Sequence, residues 1–240
     1  MTMAYVLDLL AKASYLLAAV LFILGLKRMS SPVTARAGIV QAGWGMVLAT
    51  AVTFIAPSTW GGIGNWHIEP INLGLMVLAI ALSGVFWVWG RKVPVTDMPQ
   101  MVAIFNGMGG GSAAAIGAAA LINAATFTGS CDVAAASSHD CLSRTGLVLG
   151  VIGALIGAIS FSGSVIAWAK LDGRLDKRFT FAGQQFFNLI MFIATLALGA
   201  WIVIDLGIPA VIAFFVLALL VGVLMTLPIG GADMPVVISL

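Results

Sequence analysis

Read for polarity alone, the chain alternates between long stretches with almost no charge and short stretches that hold most of it. Apolar runs fall at about 10–26, 37–56, 71–90, 100–125, 145–169, 184–204 and 208–227, each close to the ~20 residues that a helix needs to cross ~30 Å of hydrocarbon. A further run begins at Met234. The pattern predicts an all-α integral membrane protein: a polytopic transmembrane helix bundle of about seven complete spans plus the start of an eighth, forming one domain over 1–240.

Composition strengthens this reading. With 61% hydrophobic residues, 8% charged residues and a mean hydropathy of +1.13, the chain lies outside the soluble range. A formal charge of +2 is too small to suggest nucleic acid as a partner. Its distribution says more. Lys27, Arg28 and Arg36 follow the first run, Arg91 and Lys92 the third, and Lys170, Arg174, Lys177 and Arg178 the fifth, whereas the alternate connections carry only Arg144. The positive-inside rule then places the N-terminus outside and the basic loops in the cytoplasm. The first run does not read as a cleaved signal peptide, because Asp8 precedes it and Lys12 stands at its start, its apolar region is long and positive charge follows it.

One stretch organises the rest: Thr96-Asp-Met-Pro-Gln-Met-Val-Ala-Ile-Phe-Asn106-Gly-Met-Gly-Gly-Gly-Ser112. Asp97 and Pro99 suit the first turn of a helix, where free N–H groups and the positive dipole end favour a carboxylate and a residue without an N–H. Gly107, Gly109, Gly110 and Gly111 would weaken a helix in water, but in a bilayer they let neighbouring backbones approach closely. A dinucleotide-binding turn would need a strand before the glycines, a helix opening at them and an acidic residue some twenty positions on, and none of these is present.

The expected outer loops are distinctive. Trp60, Trp66 and Gly61-Gly-Ile-Gly-Asn65 read as an interfacial turn, with His67 and Glu69 beside it; no second His or Cys stands at metal spacing, so a solvated His67 is favoured over a ligand. Cys131 and Cys141 fall on the expected oxidising side. A disulfide between them is the preferred reading, stabilising its loop by up to about 3 kcal/mol, with a Cys-Cys-His139 metal site as the alternative.

Polar residues within the runs each need a partner or water. They are Gln41, Asn72, Asn106, Thr126, Ser160, Ser162, Ser164 and Asn188. For Asn106, an interhelical hydrogen bond worth about 1 kcal/mol and a place on a polar pathway stand side by side. Ser160 and Ser164 share a helix face that Gly157 and Gly153 continue, a packing seam whose hydroxyls can also hold water. Ala232-Asp233-Met-Pro-Val-Val-Ile-Ser repeats the opening Thr96-Asp97-Met-Pro-Gln-Met-Val-Ala, so Asp97 and Asp233 are expected at one membrane level, as helix caps or as a docking face, with Gly230 and Gly231 as a flexible joint before the second. Asp205 is expected at the other end of its span, in solvent.

At these residues a resemblance emerges. The stretch Thr96–Gly111 and Leu227-Pro-Ile-Gly-Gly-Ala-Asp-Met-Pro-Val-Val-Ile-Ser239 resemble the membrane domain of the β subunit of proton-translocating nicotinamide nucleotide transhydrogenase. Phe161-Ser-Gly-Ser-Val-Ile-Ala-Trp-Ala-Lys-Leu171 and Gly43-Trp-Gly-Met46 are similar to further segments, and the likeness covers nearly the whole chain, with the Cys131–Cys141 loop looking like an insertion. The resemblance implies a complex in a bacterial inner membrane that transfers hydride between NAD(H) and NADP(H) on two water-exposed domains while protons cross the membrane domain. It implies that this chain binds no cofactor itself, that it partners with the α subunit and the NADP-binding domain, and that the protomer pairs as a homodimer. It places Asn106 on the proton path, where members carry histidine or asparagine, and Asp233 where the NADP-binding domain is controlled. Gln41, Asn72, Ser160, Ser164 and Asn188 are the other path candidates; Asp97, Asp233, Gly230 and Gly231 are the coupling candidates. No histidine lies within a span, and the chain ends at Leu240, before the family's remaining spans, so a partial chain without hydride transfer of its own is expected. A stand-alone proton- or ion-coupled transporter is the alternative, although the two repeats run in the same direction and no substrate-binding charge lies at midplane.

Overall fold

The computed structural model describes residues 3–55, 70–126, 144–175 and 180–230. They form seven α-helices: α1 (Met3–Met29), α2 (Ala35–Ile55), α3 (Pro70–Gly90), α4 (Met98–Thr126), α5 (Arg144–Leu171), α6 (Gln184–Ile204) and α7 (Ile208–Thr226), with a short 3-10 turn at Val95–Asp97. All seven are long and apolar enough to cross a membrane, and no strand occurs among the described residues. The expected runs match the helices to within two residues, except that α1 begins seven residues early and ends three residues late. At the early start Asp8 joins the helix and pairs with Lys12 one turn on at 2.7 Å.

The chain divides into two compact units, Met1–Phe86 and Trp87–Leu240. In the first, α1 and α2 form an antiparallel hairpin closed by small residues. A Cβ on Gly38 would come within 2.6 Å of the Gly25 carbonyl, and one on Gly45 within 3.1 Å of the Ala18 carbonyl. Further along the hairpin the Tyr15 hydroxyl and Thr53 Oγ1 lie 3.0 Å apart. α3 buries none of its side chains.

In the second unit α4 and α5 also run antiparallel, and their contacts keep one register. Gln100 meets Leu171, Gly107 meets Ser164, Gly110 meets Phe161 and Gly117 meets Ala154. Cβ atoms on Gly110 and Gly117 would approach the facing helix to 2.8 and 2.7 Å, so only hydrogen fits between the backbones. In lipid the gain from burying apolar surface largely vanishes, and such close packing is what holds helices together. α4 runs unbroken through its glycines, and the positive-φ glycines among the described residues are Gly173 and Gly183, both in turns. The small-residue face of α5 continues from Gly157 to Gly150 against Gly117, whereas Gly153, expected on that face, meets nothing within 4 Å.

α5 is flanked on another side by α7, which runs parallel to it: Gly222 fits against Ile159 and Ser162, and Gly163 against Thr226. α6 runs antiparallel to both, with Gly199 against Val151 and Phe214. The apolar core of Leu121, Val151, Leu155, Ile202, Val211 and Phe214 fills the end of the unit where α5 and α7 begin. The opposite end, where α4 begins and α5 and α7 finish, is the more polar one, although Ala103 and Ala167 form a small second apolar cluster there with Trp168, Leu171 and Ile229.

Candidate functional site

At that polar end Asn106 on α4 donates from Nδ2 to Ser164 Oγ on α5 at 3.1 Å. Gly107 makes the approach possible, because its missing side chain leaves room for the Ser164 Cβ, which a Cβ on Gly107 would meet at 3.1 Å. Ser164 is buried, at 6% exposure, while Asn106 is exposed on the surface of the unit. Both border a pocket of about 240 Å3 that Ser160, Gly163, Ala167, Gly222 and Thr226 also line. Small side chains and hydroxyls therefore meet three helices at one place, with volume for several waters.

Of the other path candidates, only Ser160 joins this pocket. Ser162 is not in the lining; its hydroxyl bonds back to the Ala158 carbonyl at 3.0 Å and packs against Gly222. Gln41 belongs to the first unit, where it lines an open groove with Arg28, Arg36 and Trp44; its Oε1 is buried without a hydrogen-bond partner among the described residues. Asn72 stands exposed on α3. Thr126 bonds back to the Ile122 and Asn123 carbonyls in the last turn of α4.

Asn188 has a definite task. Pro228 has no N–H to give the carbonyl of Leu224 four residues earlier, and Asn188 Nδ2 supplies that bond at 3.2 Å. Its Oδ1 is buried and unpartnered among the described residues.

Asp97 stands immediately before α4, and Pro99 lies in the first turn, as expected. The Asp97 carboxylate accepts a hydrogen bond from the Thr96 hydroxyl at 3.1 Å. It lines a pocket of about 430 Å3 with Lys92, Gln100, Trp168, Asp172 and Arg174, the last pairing with Asp172 at 2.6 Å and lying 4.9 Å over the Trp168 ring. Gln100 Nε2 donates to the Leu171 carbonyl at 3.0 Å and so caps the end of α5. Gly230 is buried, and Asp205 is exposed at the C-terminal end of α6. Gly231, Asp233, Cys131, Cys141, His139, His67, Glu69, Trp60 and Trp66 lie outside the described residues.

Two groups escaped the sequence reading. Gln100 was passed over inside the motif it belongs to. Lys170 was counted only as loop charge, yet it is 5% exposed, with Nζ bonded to main-chain carbonyls at the end of α7. Pro228, which strips a donor from that helix end, was the available signal.

The fold and site define a polytopic α-helical membrane protein with a pocket set between three packed helices, where one amide and three hydroxyl side chains stand among Ile159, Met225 and small residues. The family model for the NAD(P) transhydrogenase beta subunit matches residues 11–240. Two curated relatives, each an NAD(P) transhydrogenase subunit beta of Rhodospirillum rubrum, are 37% identical over 233 residues, or 96% of this chain and 46% of theirs. The chain belongs to the NAD(P) transhydrogenase beta subunit family. It spans about half the length of these relatives.

Proposed function

We propose that this chain is the membrane domain of a proton-translocating transhydrogenase, in which proton passage is coupled to hydride transfer between NAD(H) and NADP(H). Hydride transfer takes place on nucleotide-binding domains that partner with this chain: the NAD-binding domain of an α subunit and the NADP-binding domain of the β subunit. The chain itself supplies the proton route and binds no nucleotide. It acts in a bacterial inner membrane, within a complex that pairs two protomers, with the basic helix ends cytoplasmic.

The observation that carries this reading is the Asn106–Ser164 bond beside the three-helix pocket. An amide and hydroxyls cannot titrate near neutral pH, but each can both donate and accept, so they can order a chain of water through which protons pass. Asn106, exposed on this unit, faces that water and not lipid, because lipid would leave its remaining amide groups unpartnered. Family membership argues against the stand-alone transporter. The test is proton uptake into liposomes that hold the full complex, driven by nucleotide, with wild-type Asn106 and with Asn106→Leu. Uptake that collapses in the variant supports the reading, and unchanged uptake and unchanged reverse transhydrogenation reduce Asn106 to a packing residue.

A further inference from the structure

Lys170 closes α5 with its ammonium among the main-chain carbonyls of a different helix. Nζ donates to Thr226 O at 3.1 Å, to Ile229 O at 2.6 Å and to Leu227 O. These carbonyls lie where Pro228 halts α7, at the negative end of the helix dipole, and an ammonium there is favoured by charge as well as by hydrogen bonding. A lysine whose only purpose was topology would extend its head into water, as long basic side chains do at helix ends. This one is buried and turned inward, a placement that is stable only with polar partners in reach.

The same side chain is linked to the pocket from two sides. Ser164 and Ala167 precede it on α5 by six and three residues, and both line the pocket. Thr226, whose carbonyl it holds, lines the pocket from α7. Beyond the clasp the chain leads through Gly230 to Asp233.

We infer that Lys170 is a positioning residue for coupling: its ammonium fastens the Leu227–Gly230 turn of α7 to α5, so that a shift at the Asn106–Ser164 pocket is passed to the segment entering the Asp233 motif. This rests on the proposed function. A shift of α5 against α7 carries Thr226 and Leu227 with it as long as the clasp holds. Without the ammonium the turn loses its hydrogen bonds from α5 and keeps the apolar packing of Ile229 against Ala103 and Ala167, a softer link through which a shift at the pocket is passed on less fully.

The experiment uses the complete enzyme in liposomes and reads two quantities together, the coupled hydride-transfer rate and the number of protons moved per hydride. Lys170→Met keeps the length and apolar stem without the ammonium, and Lys170→Arg keeps a charged donor. Lys170→Met is expected to lower the coupled rate about tenfold, the size of effect seen when a coupling residue away from both sites is changed, and to lower the proton-to-hydride ratio. Lys170→Arg should recover most of both. A purely structural role would reduce the amount or thermal stability of assembled enzyme but leave the ratio intact, and that outcome overturns the inference. If Lys170→Met does not assemble, Lys170→Gln, which retains N–H donors without the charge, is read by the same ratio. Asn106→Leu in the same preparation separates the two levels. Should Asn106→Leu uncouple the enzyme while the Lys170 variants keep the wild-type ratio, only the inference fails; should Asn106→Leu also be silent, the proton route through the Asn106–Ser164 pocket fails with it.

Discussion

Asn106 and Ser164 stand 58 residues apart in the chain and on antiparallel helices, yet the amide of one reaches the hydroxyl of the other at 3.1 Å. The bond is permitted by the hydrogen-only side chain of Gly107 beside it. If the two residues work as a unit, their replacements will not add. Asn106→Leu and Ser164→Ala should each lower proton-coupled turnover, and the double variant should lie close to Asn106→Leu alone, with a coupling energy of about 1 kcal/mol. Independent, additive losses would show that the bond has no part in the passage.

The glycines of α4 should split into two groups of opposite sign. A methyl on Gly110 meets the Phe161 amide nitrogen and the Gly157 carbonyl, both backbone, so Gly110→Ala should push α4 from α5 and cost about 1–3 kcal/mol. Gly109 meets nothing within 4 Å, and Gly109→Ala should be neutral or stabilising by up to about 1 kcal/mol through helix propensity. Thermal unfolding of the purified complex measures both; equal effects would remove the seam as the source.

Asn188 should matter only while residue 228 lacks an N–H. Asn188→Leu is expected to destabilise the end of α7 by about 1 kcal/mol, since it withdraws the donor on the Leu224 carbonyl. In a Pro228→Ala background the helix can supply that donor itself, and the same substitution should cost much less. A cost that is identical in both backgrounds would assign Asn188 another role, and its buried Oδ1 would then be the place to look.

Asp233 is expected to need its charge. A helix cap alone accepts asparagine at little cost, because Asn provides the same hydrogen-bond acceptor. A docking or proton-linked role does not, so Asp233→Asn in the full complex should lose coupling at normal expression, and Asp97→Asn should lose less. Full coupling in Asp233→Asn would leave it a cap worth about 1 kcal/mol.

Orientation can be read chemically. With basic helix ends in the cytoplasm, Cys131 and Cys141 should react, after reduction, with an impermeant maleimide added from the periplasmic side. Reaction from the cytoplasmic side alone would invert the topology.

The helices were legible because lipid imposes length and apolarity on every span, and neither depends on partners. The opening of α4 at Asp97 and Pro99 was legible for the same local reason. The facing of side chains was not. Ser160, Ser162 and Ser164 look alike in sequence, and only the packed helices separate Ser160 and Ser164, which line the pocket, from Ser162, which bonds back to its own helix against Gly222. Gln41 and Asn72, equally polar on paper, are not in that pocket. Lys170 was hidden by its own usefulness as a topology marker, since counting charges at a span's end says nothing of which way a long side chain turns.

The register between α4 and α5 holds from Gln100 opposite Leu171 to Leu121 opposite Gly150. At 1.5 Å per residue that contact is about 32 Å long, as thick as the hydrocarbon itself. Everything needed for it lies within one continuous stretch of chain, from Met98 to Leu171. The pair can therefore zip shut as a helical hairpin during biosynthesis, as soon as Leu171 has left the ribosome and before α6 and α7 have emerged from it. The later helices then arrive at a surface already built, and the glycines that close the hairpin shape the face on which the rest of the unit packs.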